Sequence, residues 1–281
     1  MEPWFDALPR LLEDLGGRWE LELESPVPRG SMSAVFRCRT ADGRAAVLKV
    51  APDQARLATE ARALAAWRTQ HVPAVLAVDE ALGALLLEAV EPGTPLAESP
   101  SQPGAEQLAA LVSSLHENGS PDPSFPPVAA RVAHLFDSGR KHHERRPDLA
   151  GLVPPELYER GRALALRLAE DAPATVLLHG DLTPLNVLDG GEARGLVAID
   201  PAACLGDPAF DAVDLVLWRA EDAGTIAARV EALAAEGGAD PGRLLAWCSA
   251  FAGMTALETA ENGAGSPRQL RTYVELASSA A

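Results

Sequence analysis

Apolar positions recur at helical spacing over residues 3–15, and Gly16-Gly17 is expected to end that helix. Strand-like runs follow at 19–23, 34–40 and 45–50, the last two joined as a hairpin through Ala41-Asp42-Gly43. Asp53 is placed to cap a helix running to about Thr69, and 75–78 and 84–88 read as two more strands. After Glu91-Pro92-Gly93 the pattern changes. Residues 105–118 read as helix and 119–128 as a loop rich in Pro and Ser. Helices are expected near 129–142, 155–170, 209–221, 225–236 and 241–260. The strand signals in this half are 175–178 and the pair 187–188 and 196–199. The predicted class is therefore α+β. A small antiparallel β lobe with one helix covers 1–90, a hinge lies near 88–92, and a larger, mostly α-helical lobe covers 91–281. No internal repeat interrupts this order.

Composition narrows the function classes. With 47% hydrophobic and 23% charged residues the chain can bury a sizeable core. The formal net charge of −16 repels nucleic-acid backbones and anionic membranes and would attract a cationic ligand. The most apolar stretch, 72–90, is broken by Pro73, Asp79, Glu80, Gly83 and Glu88, too often to span a bilayer. Cys38, Cys204 and Cys248 are odd in number and far apart, which implies no disulfide framework. The start, Met1-Glu2-Pro3-Trp4, has no signal-peptide pattern, so a cytoplasmic protein is expected, as a monomer or weak dimer.

The strongest chemical signal is His179-Gly180-Asp181-Leu182-Thr183-Pro184-Leu185-Asn186. Asp181 follows the apolar run Val176-Leu177-Leu178, and 187–188 with 196–199 make a hairpin that leads into Asp200. The open end of that hairpin is expected to bring Asn186 beside Asp200. Magnesium takes hard oxygen ligands, few of them from protein, so Asn186 and Asp200 are candidate ligands. Asp181 could orient an attacking hydroxyl and accept its proton. The competing reading is a capped Asp-Leu-x-Pro-x-Asn turn.

A second constellation lies upstream. Lys49 is the one charge on the apolar strand 45–50. Glu60, eleven positions on, shares a helix face with Leu57 and Leu64. A carboxylate on a packed face is costly unless paired, and Lys49 is its natural partner. Such a pair can hold a lysine against nucleotide phosphates. Otherwise Lys49 snorkels to water and Glu60 sits at a wet edge. The loop Pro28-Arg29-Gly30-Ser31-Met32-Ser33 could cover phosphates with the N–H groups of 30–33, making Gly30, Ser31 and Ser33 candidate nucleotide contacts, or be a simple hairpin turn. No Gly-x-x-x-x-Gly-Lys-Ser/Thr run exists, which disfavours a P-loop enzyme. The main chain of Glu88 and Val90 could hydrogen-bond adenine.

Lysine strand, glutamate helix, hinge, His-x-Asp loop with Asn and a hairpin ending in Asp is an order that resembles the kinase superfamily. It is most similar to the aminoglycoside phosphotransferases, in the streptomycin 6-kinase and hydroxyurea phosphotransferase branch. The carrying residues are Leu178-His179-Gly180-Asp181-Leu182, Asn186-Val187-Leu188, Ala198-Ile199-Asp200-Pro201 and Gly206-Asp207-Pro208-Ala209-Phe210-Asp211, with Arg44–Lys49 and Leu115-His116 also fitting. The resemblance spans roughly 20 to 260 and implies a protein-kinase-like two-lobed fold, with Asp181 as base, Asn186 and Asp200 on magnesium, and Lys49 on phosphates with Glu60 behind it. Asp207 and Asp211 would be supporting or substrate-side groups, although capping by Asp207-Pro208 explains Asp207 equally well. The single glycine of the 28–33 loop leaves ATP or GTP open.

The implied reaction is phosphate transfer from ATP (or GTP), with Mg2+, to a hydroxyl of a cationic antibiotic, either a streptomycin-like aminoglycoside or a peptide of the capreomycin and viomycin type. Asp211, Asp214, Glu258 and Glu261, with Glu221 and Asp222, are the acidic candidates for gripping a cation. His116 reads as structural and His142-His143 as a solvated basic patch, because adjacent helical histidines diverge. The rivals are a metabolite kinase on the same scaffold and a non-catalytic nucleotide- or partner-binding module.

Overall fold

The computed structural model of the protein describes residues 2–28, 33–100, 102–149, 151–237, 240–263 and 265–279. The chain packs as two compact units, Met1–Thr94 with Leu188–Asp200, and Pro95–Val187 with Pro201–Ala281.

The first unit is built on a five-stranded antiparallel sheet. Its strands are β1 (Glu22–Pro26), β2 (Ala34–Arg39), β3 (Ala45–Val50), β4 (Val75–Asp79) and β5 (Ala84–Glu88), in the order β1-β2-β3-β5-β4. Alternation along β3 sends Ala46, Leu48 and Val50 to one face, where they pack with Leu15 of helix α1 (Glu2–Arg18) and with Leu8, Leu11 and Leu12 around it. The helix does not stop at Gly16-Gly17. The Trp19 N–H still reaches the Leu15 carbonyl at 2.9 Å, and the chain turns only at Glu20, whose φ is 52°. The strand expected at 19–23 therefore begins at Glu22. On α2 (Gln54–Ala66), Asp53 caps the first turn by accepting the Arg56 N–H at 3.0 Å.

A hairpin of Val187–Asp189 and Leu196–Ala198 is sewn onto this unit. Arg194 donates to the Gln70 and Val72 carbonyls at 2.7 and 2.9 Å and pairs with Glu88 at 3.1 Å. His71 Nδ1 lies 2.6 Å from the Leu196 carbonyl, and the Ala198 N–H donates to the His71 carbonyl at 2.8 Å.

The second unit is helical: α3 (Ala105–Asn118), α4 (Val128–His143), α5 (Pro155–Glu170), α6 (Val213–Leu217), α7 (Ala223–Gly237), α8 (Pro241–Glu261) and α9 (Pro267–Ser278). Helix α8 is apolar almost all round and accordingly runs through the core, where Trp247 and Phe251 meet Phe210 and Phe136. Val176–Leu178 pairs antiparallel with Cys204–Gly206, a strand the sequence reading did not contain. The helix expected at 209–221 is instead a 3-10 turn, Pro208–Ala212, and the short α6, broken where Arg219 takes φ 50°. Helix α9 was likewise not expected. All three cysteines are free and buried. Among the described residues no helix is long and apolar enough to cross a membrane.

Candidate active site

In the first unit β3 carries Lys49 on the opposite side of the strand from Leu48 and Val50. The Lys49 Nζ lies 2.8 Å from both oxygens of Glu60 and 2.8 Å from Asp200 Oδ1. Glu60 shares its helix stripe with buried Leu57 and Leu64, and both members of the Lys49–Glu60 pair are buried. Burial by itself would depress the Lys49 ammonium, but the Glu60 and Asp200 carboxylates outweigh it and raise its affinity for the proton. Burial pushes Glu60 up while the ammonium pulls it down. With both oxygens within hydrogen-bond reach of one ammonium, the ionic form is the one this geometry satisfies.

Asp200 has φ 57°, a left-handed conformation uncommon in residues other than glycine and enriched at functional sites, and its side chain is 44% exposed. The lysine thus takes one oxygen of a carboxylate that is itself only partly exposed. Gly30 and Ser31 lie outside the described residues, and Ser33 is half-buried just before β2. The Glu88 N–H is spent on the Ala74 carbonyl at 2.9 Å and its carboxylate on Arg194, while Val90 is buried just past the strand.

In the second unit the 179–186 loop is held from beneath. Asp211, with no exposed side-chain surface, accepts the N–H groups of His179 and Gly180 at 2.9 Å each and lies 3.0 Å from His116 Nε2. Burial works against its charge, but His116, His179 and the Gly180 N–H prevail and hold the carboxyl below its usual range. Asp211 is therefore an internal brace and not a substrate contact. Gly180 sits at φ 76°, and a Cβ there would lie 2.2 Å from the Ala202 carbonyl oxygen, so this turn requires glycine.

Above the brace, Asp181 is 37% exposed. Asn186 donates from Nδ2 to the Asp181 carbonyl and to Asp181 Oδ2, both at 2.9 Å. Arg131 on α4 donates to Asp181 Oδ1 at 2.7 Å and to the Gly180 carbonyl at 2.8 Å. Sequence reasoning missed Arg131. Its one signal was a charge three positions after Val128, on the stripe that Val132 and Phe136 continue.

The other acidic candidates separate by partner. Half-buried Asp214 is pushed up to about 7 by burial and by Glu258 and Asp181, against the pull of Arg131. Glu258 is open to water yet walled by protein, and burial followed by Asp181 and Glu261 raises its carboxyl too. Glu261 is already engaged by His142 and, at 3.0 Å, by Arg146, so the basic patch is tied down instead of merely solvated. Asp222 caps α7 at the Thr225 N–H and pairs with Arg268, and Glu221 accepts from Ser266. Asp207 caps the 208–212 turn and accepts from the Trp247 indole at 2.6 Å, a wholly internal role. Among the described residues no three His, Cys, Asp or Glu side chains cluster as a metal-holding group.

An antiparallel-sheet unit with a buried Lys–Glu pair and a helical unit with a braced His-Gly-Asp loop define a phosphotransferase of the protein-kinase-like fold. The chain belongs to the aminoglycoside/hydroxyurea antibiotic resistance kinase family, whose model matches residues 18–263. It is 31% identical over 224 residues to the streptomycin 6-kinase of Streptomyces griseus, spanning 79% of this chain and 69% of that protein. It is 30% identical over 258 residues to the hydroxyurea phosphotransferase of Kitasatospora aureofaciens (86% and 70%). With the streptomycin 3''-kinase of Klebsiella pneumoniae the figures are 32% over 257 residues (85% and 88%). Two solved structures share the fold. One is the choline kinase LicA from Streptococcus pneumoniae, with TM-score 0.63, 14% identity and 98% of each chain covered. The other is an aminoglycoside phosphotransferase in complex with AMP-PNP and hygromycin B, with TM-score 0.62, 18% identity and 98% and 99% covered.

Proposed function

We propose that this phosphotransferase moves the γ-phosphate of ATP or GTP onto a hydroxyl of a cationic antibiotic and thereby inactivates it. A streptomycin-like aminoglycoside is the first choice, and a peptide of the capreomycin or viomycin type the second. The observation that carries this reading is the state of Asp181: a partly exposed carboxylate, bonded through both oxygens, on a loop braced by buried Asp211. Such a group can orient an attacking hydroxyl and take its proton as the bond to phosphorus forms.

Lys49, set by Glu60, would neutralise the phosphates, and the main chain around Val90, beyond the Glu88 N–H already bonded to the Ala74 carbonyl, would receive the base. The oxygens of Asn186 and Asp200 would hold Mg2+, which supplies charge neutralisation on the transferring phosphoryl group. Catalysis then consists mostly of positioning and electrostatics. The net charge of −16 and the Asp214 and Glu258 carboxylates favour a cationic acceptor. A cation beside Asp214 would draw off its proton and gain a full counter-charge.

A mass-spectrometric screen tests the reading. The protein is incubated with ATP or GTP and magnesium against streptomycin, other aminoglycosides, capreomycin, viomycin, hydroxyurea and choline. Gain of one phosphate by an antibiotic, abolished by Asp181→Asn, is the expected result. Phosphorylation of choline alone would move the reading to a metabolite kinase, and absence of both transfer and nucleotide binding would leave a binding module. Transfer that survives Asp181→Asn would remove Asp181 from the role of base.

A further inference from the structure

Arg131 lies far from the 179–186 loop in sequence and beside the buried apolar stripe Val128, Val132 and Phe136 of its helix, and its guanidinium is directed at that loop. Its Nε donates to the Gly180 carbonyl at 2.8 Å, and its Nη2 donates to Asp181 Oδ1 at 2.7 Å. We infer that Arg131 is a positioning residue for transfer, a clamp that fixes the rotamer and plane of the Asp181 carboxylate. The inference rests on Asp181 being the base proposed above.

Two bonds from one planar, rigid group to the carbonyl and carboxylate of adjacent residues define a direction, which a single point charge cannot do. The final torsion of an aspartate is otherwise broad and soft. Here Arg131 holds Oδ1 and Asn186 holds Oδ2, so rotation about that torsion would break both bonds.

The surrounding charges make the clamp necessary. Asp214 of α6 and Glu258 of α8 both act electrostatically with Asp181, and Asp211 beneath the loop adds a further negative charge near Asp214. His179, on the loop itself, accepts the Asp181 N–H at Nδ1. His142 acts on Glu258 and His116 on Asp211, while Arg131 acts on Asp214 and bonds Asp181 directly. Without it, Asp181 would keep only the Asn186 bond at Oδ2 and would lose the positive charge bonded at Oδ1 that offsets its repulsion from Asp214 and Glu258.

The test compares the wild type, Asp181→Asn, Arg131→Lys and Arg131→Ala, with ATP and streptomycin as the probe substrates. Arg131→Ala is expected to lose kcat by about 10²-fold, the scale of misplacing a reacting group by an ångström. Its KM for ATP is expected to change less than about threefold, because no ground-state nucleotide contact is removed. Arg131→Lys, which can make one of the two bonds, is expected to fall between. Added ethylguanidinium is expected to restore kcat of Arg131→Ala saturably, which a merely structural role would not permit. A wild-type kcat in Arg131→Ala while Asp181→Asn is dead would overturn the clamp and leave the base in place. Activity retained by Asp181→Asn would instead overturn the base.

Should Arg131→Ala fold poorly, Arg131→Lys decides the question: wild-type melting with reduced kcat supports the clamp, and wild-type kcat refutes it. A crystal structure of an Arg131 variant gives a readout that needs no acceptor. An Asp181 carboxylate turned away from Asn186 supports the inference, and one unmoved overturns it.

Discussion

Lys49 and Asp200 are hydrogen-bonded at 2.8 Å across 151 residues of sequence, while the same ammonium holds both oxygens of Glu60. One cation serves two carboxylates, and the buried one depends on it more. Lys49→Met would strand Glu60 in the interior, at a cost of about 3–5 kcal/mol. Glu60→Gln keeps an oxygen that accepts from Lys49 and is expected to cost less. Thermal melts of the two variants at pH 7 should rank them in that order, and the reverse ranking would contradict the buried ion pair.

Asp211→Asn places an amide NH2 against at least one of the two N–H donors that the carboxylate now accepts. A loss of about 1.5–3 kcal/mol is expected for bonds to a charged group. Because the folded state holds this carboxyl below its usual value, its contribution is present above about pH 3.8 and is lost as pH falls through the depressed value. The gap between wild type and variant in urea unfolding should therefore be full at pH 7 and shrink towards pH 3.

Asp214 has the opposite sign. Raised to about 7, it binds its proton more tightly folded than unfolded, so it favours the fold at low pH and loses that contribution as pH climbs from 3.8 through about 7. Asp214→Asn is expected to raise the melting temperature at pH 8 by about 2–4 °C and to leave it unchanged near pH 4. A shift of equal size at both values would show that ionisation is not the cause.

Gly180→Ala combines a left-handed backbone, about 1–3 kcal/mol for a residue with a Cβ, with a clash against the rigid Ala202 carbonyl. A melting temperature several degrees lower, with transfer lost, is the expected outcome. A variant that melts and reacts like the wild type would mean the loop can relax.

The sheet was legible because its signals are local. The Asp42-Gly43 turn sets one register, and apolar alternation at 45–50 is clean except at Lys49, the residue that carries the chemistry. Glu60 stood out because a carboxylate shared a stripe with Leu57 and Leu64. The errors have equally specific causes. Gly16-Gly17 reads as a stop, yet both glycines keep the helix and Glu20 makes the turn. Helix α9 carries an apolar stripe at helical spacing, Leu270, Tyr273, Val274 and Ala277, which the sequence reading passed over. Cys204–Gly206 is a three-residue strand that exists because Val176–Leu178 needs a partner. Arg131 and Asp211 act on a loop 50 and 31 residues away, a distance no periodicity reports.

The Arg194 clasp bears on how the protein is made. The carbonyls of Gln70 and Val72 are synthesised 124 and 122 residues before the guanidinium that caps them, and Asp200 follows Lys49 by 151. During synthesis from the N-terminus, the first five strands are complete long before their last contacts exist. They must wait, partly satisfied, while the first helices of the other unit are made. Domains usually mature in the order they emerge. Here the part that leaves the ribosome first is among the last to be finished, so the first 94 residues are a poor candidate for an autonomous fragment.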